Sequence, residues 1–107
     1  MYDPPMDGLR VGVDERDGIV TIRLVGELDM ATREKLAPLR AILDRHPTEI
    51  VVDMSKLTFL DSSGLRGILN GCLIADSLGV QYRCVGIQPH IRRMLEVVGV
   101  LDTLHAD

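Results

Sequence analysis

Aromatic residues and clustered positive charge are what the sequence has least of. It contains no tryptophan, two tyrosines and one phenylalanine, so it offers no set of rings on which nucleic acid bases could stack. Lys and Arg number 12 against 16 Asp and Glu, which gives a net charge of −4. A protein that binds the phosphate backbone needs clustered Lys and Arg. Direct contact with nucleic acid is therefore not expected.

Cysteines and long apolar runs are scarce as well. Cys72 and Cys84 are the only thiols, and neither lies in a C-x-x-C pair with metal-ligand or redox spacing. Buried, reduced cysteines are expected, with a regulatory disulfide between them as the alternative. Residues 1–5 lack the basic start and the apolar run of a signal peptide, and no apolar stretch approaches a membrane span. These absences favour a cytoplasmic protein that does not insert into membranes.

The length of 107 residues and the hydrophobic fraction of 46% predict a single domain with an aliphatic core. Residues 1–8 show no periodicity and are predicted to form a flexible N-terminal arm, and residues 9–107 to form the domain. Apolar residues alternate from Leu9 onward and again at 19–25. The Asp17-Gly18 pair between these two runs predicts a β-hairpin.

A helix is expected after the hairpin, with Asp29 or Thr32 as its cap and Arg45 near its end. Pro38 lies inside this pattern. Because proline lacks an N–H and clashes with the preceding turn, a kink or a late helix start is predicted there.

The remaining elements are indicated by apolar periodicity and by Gly or Pro at their ends. They are a strand at 49–54 covered on both faces, a helix running to about Leu78, a strand at 80–87, and a helix that Pro89 opens and Gly99 ends. This order predicts an α/β fold with a mixed, mostly parallel sheet, an N-terminal hairpin and three to four helices packed on the sheet.

The stretch from Thr58 to Gly67 joins a strand to a helix through a short polar turn. Ser62 and Ser63 each qualify as the helix cap, because a hydroxyl oxygen can accept a hydrogen bond from a backbone N–H that has no helical partner. Gly64 allows another backbone or a ligand to approach, and the positive end of the helix dipole favours an anion. The turn is thus a candidate place for a phosphate, and a well-capped helix start with no further role is the alternative.

Two loops are expected to meet at one edge of the sheet. If the strands that end at Val25 and Met54 run parallel, the loops at 26–29 and 58–63 leave the sheet on the same side, where open α/β folds usually keep their sites.

Small residues recur along the helix that follows the turn. Each interior glycine costs a helix about 1 kcal/mol relative to alanine, so close approach of another group is implied. Tight packing on the sheet or on a neighbouring helix is favoured over a groove for a partner. The residues concerned are Gly64, Gly67, Gly71 and Ala75.

Two motifs stand in the order and spacing of a known family: GELD at 26–29 and LTFLDSSGL at 57–65. With the pattern of elements around them, they resemble a STAS domain of the bacterial anti-sigma factor antagonist type, over about residues 9–104. The resemblance implies that Ser62 is phosphorylated by a partner that is both an anti-sigma factor and a serine kinase. It also implies that the unphosphorylated form binds this partner and frees a sigma factor, and that a serine phosphatase reverses the modification.

The resemblance also assigns neighbouring residues. Ser63 matches a position that is Ser or Thr in relatives, Asp61 matches the acid before the phosphoacceptor, and Asp29 matches a loop acid. Arg66 departs from the small residue found there in several relatives; it lies one turn after Ser62 and either pairs with a phosphate or is simply solvated. The predicted partner-binding residues are Asp29, Asp61, Ser62, Ser63, Gly64, Arg66 and Gly67.

Other functions fit the sequence less well. A serine hydrolase would need a glycine where Leu60 stands, and its base would have to be His46, His90 or His105, none of which lies in a triad context. The histidines and cysteines show no metal-ligand spacing, and no Gly-rich P-loop with Lys is present. We therefore predict a binding protein that is not an enzyme and uses no cofactor, as a monomer or a weak dimer. The alternative within the same fold is a STAS subunit that regulates the ATPase of a bacterial lipid-transport complex.

Overall fold

The structure, a computed structural model, describes residues 8–106. Within these residues, four strands form one sheet in the order β1-β2-β3-β4. They are β1 (Leu9–Arg16), β2 (Ile19–Leu28), β3 (Glu49–Leu60) and β4 (Gln81–Val85). β1 pairs with β2 antiparallel, whereas β2, β3 and β4 pair parallel. The mixed, mostly parallel sheet is thus confirmed, while the predicted arm at 1–8 lies, except for Gly8, outside the described residues.

The hairpin between β1 and β2 turns at the predicted dipeptide. Asp17 and Gly18 have φ values of 54° and 82°, the left-handed conformation that both central residues of a tight primed turn need. The strands leave this turn with Arg16 opposite Ile19. This register places alternate residues of β2 in the core, as predicted, namely Val20, Ile22 and Leu24.

In the described part of the chain, three α-helices connect or follow the strands: α1 (Pro38–Asp44), α2 (Ser62–Leu78) and α3 (Pro89–Val98). A short 3-10 helix at Arg33–Leu36 precedes α1. Because Pro38 has no N–H to donate, the α-helix begins at this residue, and the predicted late start is confirmed. No helix within residues 8–106 is long and apolar enough to cross a bilayer.

The helix ends also follow the predicted signals. α2 and α3 stop at Gly79 and Gly99, whose φ values of 73° and 78° are left-handed. Pro89 occupies the first turn of α3, where a missing N–H leaves no helical hydrogen bond unmade.

One hydrophobic cluster joins the helices to a single face of the sheet. It unites inward residues of β2 and β3, such as Ile22 and Val52, with Leu43 of α1, Ile68 of α2 and Leu95 of α3. The helices therefore pack together against this face, which fixes where α2 starts relative to the ends of β2 and β3.

The opposite face of the sheet is polar. Arg23 is exposed there, and Arg83 on β4 forms an ion pair with Glu49 on β3, with 3.0 Å between Nε and Oε2. Ile50, Val51 and Val52 are all buried, as the apolar run predicts, although the helices lie on the other face of the strand from Val51. Val51 lies outside the core cluster, between Thr21 and Arg83 on the neighbouring strands, so its burial does not require a second layer of helices.

Candidate functional site

The carboxyl ends of β2 and β3 lie side by side. Glu27 pairs with Phe59 and Leu28 with Leu60 in parallel register. Both strands run further than predicted, so most of the expected loop at 26–29 and the first half of the expected loop at 58–63 are strand. The pairing of β2 with β3 resumes after an irregularity at Gly26. This residue has a φ of 114°, which bends the strand and which glycine adopts more readily than other residues. Adjacent strand ends bring the two motifs together as expected.

Asp61 is the single residue between β3 and α2, and it caps the helix. Its backbone is extended, and its Oδ1 accepts a hydrogen bond from the Gly64 N–H at 2.8 Å. The prediction that Ser62 or Ser63 is the cap is wrong, because α2 already begins at Ser62. A carboxylate two bonds from the backbone reaches the same N–H as a serine hydroxyl would.

The second oxygen of Asp61 holds the neighbouring turn. Oδ2 accepts a hydrogen bond from the Met30 N–H at 3.2 Å, and the Asp61 N–H donates to the Leu28 carbonyl oxygen at 3.3 Å. One side chain therefore connects the start of α2 to the chain that leaves β2.

Asp29 organises the turn after β2. Its Oδ1 accepts hydrogen bonds from the N–H groups of Ala31 at 2.9 Å and Thr32 at 3.0 Å. Thr32 is buried, and its hydroxyl donates to the Glu27 carbonyl oxygen at 2.8 Å. Asp29 thus stabilises its own turn and leads into the 3-10 helix rather than directly into α1.

Ser62 is the first residue of α2 and is exposed, while Ser63 is half-buried. Within residues 8–106, neither side chain forms a hydrogen bond, and neither backbone N–H has a partner in a turn or cap. The Ser62 hydroxyl is therefore accessible at the positive end of a helix of 17 residues.

Gly64 permits close contact between the start of α2 and the end of β2. A Cβ at this position would collide with the Leu28 carbonyl oxygen and lie 2.8 Å from Leu28 Cγ. The expected approach of another backbone is thus found, and the backbone is that of β2.

The later glycines of α2 face the first helical segments. A Cβ on Gly67 would lie 2.9 Å from Leu36 Cδ1, and one on Gly71 would lie 2.7 Å from Leu39 Cδ2. Tight packing, the favoured interpretation, accounts for both glycines. An open groove beside this contact is lined in part by Arg33 and Gly67.

Two exposed apolar side chains flank the site, and neither was predicted from the sequence. Met30 is 79% exposed and Phe59 47% exposed. Met30 follows Asp29, and Phe59 lies two residues before Asp61. The available signal was that the only phenylalanine in the chain stands inside the second motif.

The remaining predicted residues are less constrained. Arg66 is exposed and forms no ion pair with any other residue between 8 and 106. His90 donates from Nε2 to the Thr58 carbonyl oxygen at 2.8 Å, so it supports the end of β3. No histidine of the described chain hydrogen-bonds to Ser62.

Comparison with known proteins agrees with this architecture. A family model described as "Mlab, STAS domain" matches residues 11–105. The anti-sigma F factor antagonist of Paenibacillus polymyxa is 30% identical over 98 residues, which cover 90% of this chain and 84% of that protein. The crystal structure of an anti-sigma factor antagonist from Mycobacterium paratuberculosis is 27% identical with a TM-score of 0.82, covering 95% of this chain and 87% of that one.

The same fold is found in the antagonist SpoIIAA of Bacillus. Its unphosphorylated form is 22% identical with a TM-score of 0.78, covering 92% of this chain and 88% of that one. Its phosphorylated form is 24% identical with a TM-score of 0.72, covering 92% and 91%.

Proposed function

We propose that this chain, which belongs to the STAS family of anti-sigma factor antagonists, binds an anti-sigma factor that is also a serine kinase. This binding frees a sigma factor. Phosphorylation of Ser62 ends this binding, and a serine phosphatase restores it. The observation that carries the proposal is the accessible, unpaired hydroxyl of Ser62 at the first residue of α2, beside two acid-organised turns.

A phosphate on Ser62 is compatible with the fold. It adds about −1.5 to −2 charges and three acceptor oxygens. The first turn of α2 supplies the positive end of the dipole and the unpaired N–H groups of Ser62 and Ser63. Asp61 is already engaged with Gly64 and Met30, so the cap does not depend on the serine hydroxyl. The modification therefore leaves the domain folded.

The same phosphate is unfavourable for a docked partner. Met30 and Phe59 form an exposed apolar surface next to Ser62, and the carboxylates of Asp29 and Asp61 lie on the same edge. A partner that covers this surface would have to remove a dianion from water beside two further acids, which costs binding free energy. The switch thus acts on the interface and requires no refolding.

Arg66 is the residue placed to moderate this effect. It lies four positions after Ser62 on α2, hence on the same helix face. An Arg66 contact with the phosphate would offset part of its charge and slow the return to the binding state.

The proposal is tested by incubating the protein with ATP and each candidate serine kinase of its host, followed by intact-mass and peptide mass spectrometry. One phosphate on Ser62 is expected, absent in Ser62→Ala and retained in the matched control Ser63→Ala. Failure of every kinase to modify the protein would contradict the proposal. Recovery of the unmodified protein with a transporter ATPase would instead support the lipid-transport subunit.

A further inference from the structure

Three side chains that can bind a metal converge at the far end of α2, away from the phosphorylation site. Cys72 and Asp76 lie one turn apart on this helix, and His105 comes from the C-terminal segment. The Cys72 Sγ, an Asp76 carboxylate oxygen and a ring nitrogen of His105 all lie within 4.8 Å of one another. This group could not be predicted from the sequence, because its members do not have the spacing of a metal motif.

The backbone fixes the direction of the thiol. Cys72 is fully buried, and its Sγ donates a hydrogen bond to the Thr103 carbonyl oxygen at 3.1 Å. Thr103 lies two residues before His105, so the thiol points at the segment that carries the imidazole.

The position of His105 is set by a closed turn. The His105 N–H donates to the Asp102 carbonyl oxygen at 3.1 Å, and the Ala106 N–H donates to the Leu101 carbonyl oxygen at 3.1 Å. His105 itself has a φ of 50°, a left-handed conformation that is uncommon outside glycine. Leu104 is fully buried and anchors this turn to the core. The imidazole is thus held near α2 by the main chain.

The proximity of Asp76 and His105 is not explained by a direct contact between them. Among residues 8–106, no ion pair or hydrogen bond joins the Asp76 carboxylate to the His105 imidazole. Both side chains are exposed, and both border an open cleft that Gln81 and Tyr82 also line. Both are free to rotate toward the Cys72 thiol, and the cleft gives water access to their own side chains.

We infer that Cys72, Asp76 and His105 bind one zinc ion, with a water molecule from the cleft as the fourth ligand. One thiolate, one imidazole and one carboxylate form a donor set that Zn²⁺ accepts and that the hard cations Mg²⁺ and Ca²⁺ do not favour. Zinc bond lengths of about 2.0 to 2.3 Å require the donors to close in slightly, which the exposed Asp76 and His105 can do by rotamer changes. The Cys72 proton passes to the buffer as the zinc–sulfur bond forms, and its hydrogen bond to Thr103 is lost.

The ion would tie the C-terminal segment to α2. It stabilises only the folded form, because the three donors converge only there. The melting temperature is therefore expected to rise with zinc concentration.

The test uses reduced, tag-free protein that has been stripped of metal with a chelator. Isothermal titration with Zn²⁺ alone should give one site per chain, and Co²⁺ should give the near-ultraviolet absorption of a cobalt–thiolate bond. Asp76→Asn and His105→Ala, which change exposed side chains, should each weaken zinc binding by at least about tenfold. Even the loss of a residue that only hydrogen-bonds to a metal ligand lowers metal affinity by about that factor. Cys72→Ala should abolish the cobalt–thiolate band.

His90→Ala and Cys84→Ala are the matched controls, since they remove the same residue types outside the cluster. Both should bind zinc as the wild type does. Circular dichroism of each variant separates loss of a ligand from loss of the fold, which matters most for the buried Cys72. Absence of binding at micromolar zinc, or binding that survives both His105→Ala and Asp76→Asn, would overturn the inference.

Discussion

At the scale of single residues, Asp61 is distinguished by the use of both its carboxylate oxygens. One accepts the Gly64 N–H and caps α2, and the other accepts the Met30 N–H in the turn after β2. A serine at this position could make only the first of these contacts in the same geometry. This explains why an acid, and not one of the two serines, stands at the cap.

Replacement of Asp61 should therefore destabilise the domain. Asp61→Ala leaves two N–H groups without their acceptor and should reduce the free energy of unfolding by about 1 to 3 kcal/mol. Asp61→Asn retains a carbonyl oxygen for Gly64 and should lose less. Urea unfolding of the three proteins checks this order, and an alanine variant as stable as the wild type would contradict the assigned role.

Ser62 is expected to tolerate charge without loss of structure. Ser62→Asp places an anion in the first turn of α2, where the helix dipole favours it by about 0.3 to 1 kcal/mol. Its circular dichroism spectrum should match that of the wild type and its melting temperature should be equal or slightly higher, while binding to the partner kinase should be lost. Ser62→Ala, the neutral control, should still bind. If the aspartate variant failed to bind because it had unfolded, the switch would not be an interface effect.

At the scale of secondary structure elements, the contacts of α2 distinguish its glycines. A Cβ on Gly64 would meet a carbonyl oxygen of β2, which is backbone, whereas one on Gly67 would meet the end of the flexible Leu36 side chain. Gly64→Ala should therefore cost about 1 to 3 kcal/mol or more through overpacking. Gly67→Ala should be nearly neutral, because a gain of about 1 kcal/mol in helix propensity offsets a small shift of Leu36.

Thermal unfolding of these two variants provides the comparison. Equal destabilisation would mean that the two contacts are equally rigid. Binding of the folded Gly67→Ala variant to the kinase then separates packing from a partner groove: retained binding supports packing alone, and lost binding would make the groove beside Arg33 part of the interface.

Element boundaries could be predicted where one residue determines them. Pro38 starts α1 because its ring removes the N–H. Gly79 and Gly99 end α2 and α3 because each adopts a positive φ, and all three effects are local. The strands β2 and β3 end later than their apolar periodicity predicts. Their last residues are held by pairing with each other, and the exposed Thr58 and Phe59 break the alternation on which the prediction relied.

At the scale of the whole molecule, burial of the thiols makes the folded protein less stable at high pH. Burial raises the pKa of Cys84 from 9.0 to about 12, and neighbouring Cys72 adds to the rise. Burial likewise raises the pKa of Tyr82 well above its ordinary value. Between pH 9 and about 12 the unfolded chain releases the Cys84 proton first, so the native state becomes relatively less stable as the pH rises.

The expected loss for Cys84 is up to about 1.4 kcal/mol per pH unit across that window. Chemical unfolding at a series of pH values, with chelator present, should show this decline. Cys84→Ala should show a shallower decline, because only Tyr82 and other groups remain to titrate. Parallel curves for the two proteins would show that Cys84 does not control alkaline stability.

The strand and helix order, the parallel pairing and the meeting of the two motifs could all be predicted, because they depend on periodicity and on the topology it implies. The polar outer face of the sheet could not, since the apolar run at Val51 looks the same whether it meets helices or neighbouring side chains. The group of Cys72, Asp76 and His105 was also out of reach, because its geometry arises only when the C-terminal turn packs on α2.

The carboxylate of Asp61 also has a consequence for the kinetics of partner binding. Because it joins the two turns, the surface that contains Met30 and Ser62 is already ordered before any encounter. Association with the kinase should then follow a single exponential whose rate increases linearly with concentration, with no slower phase for loop ordering. In Asp61→Ala the turns are no longer joined, and a second, concentration-independent phase is the expected signature of that lost preorganisation.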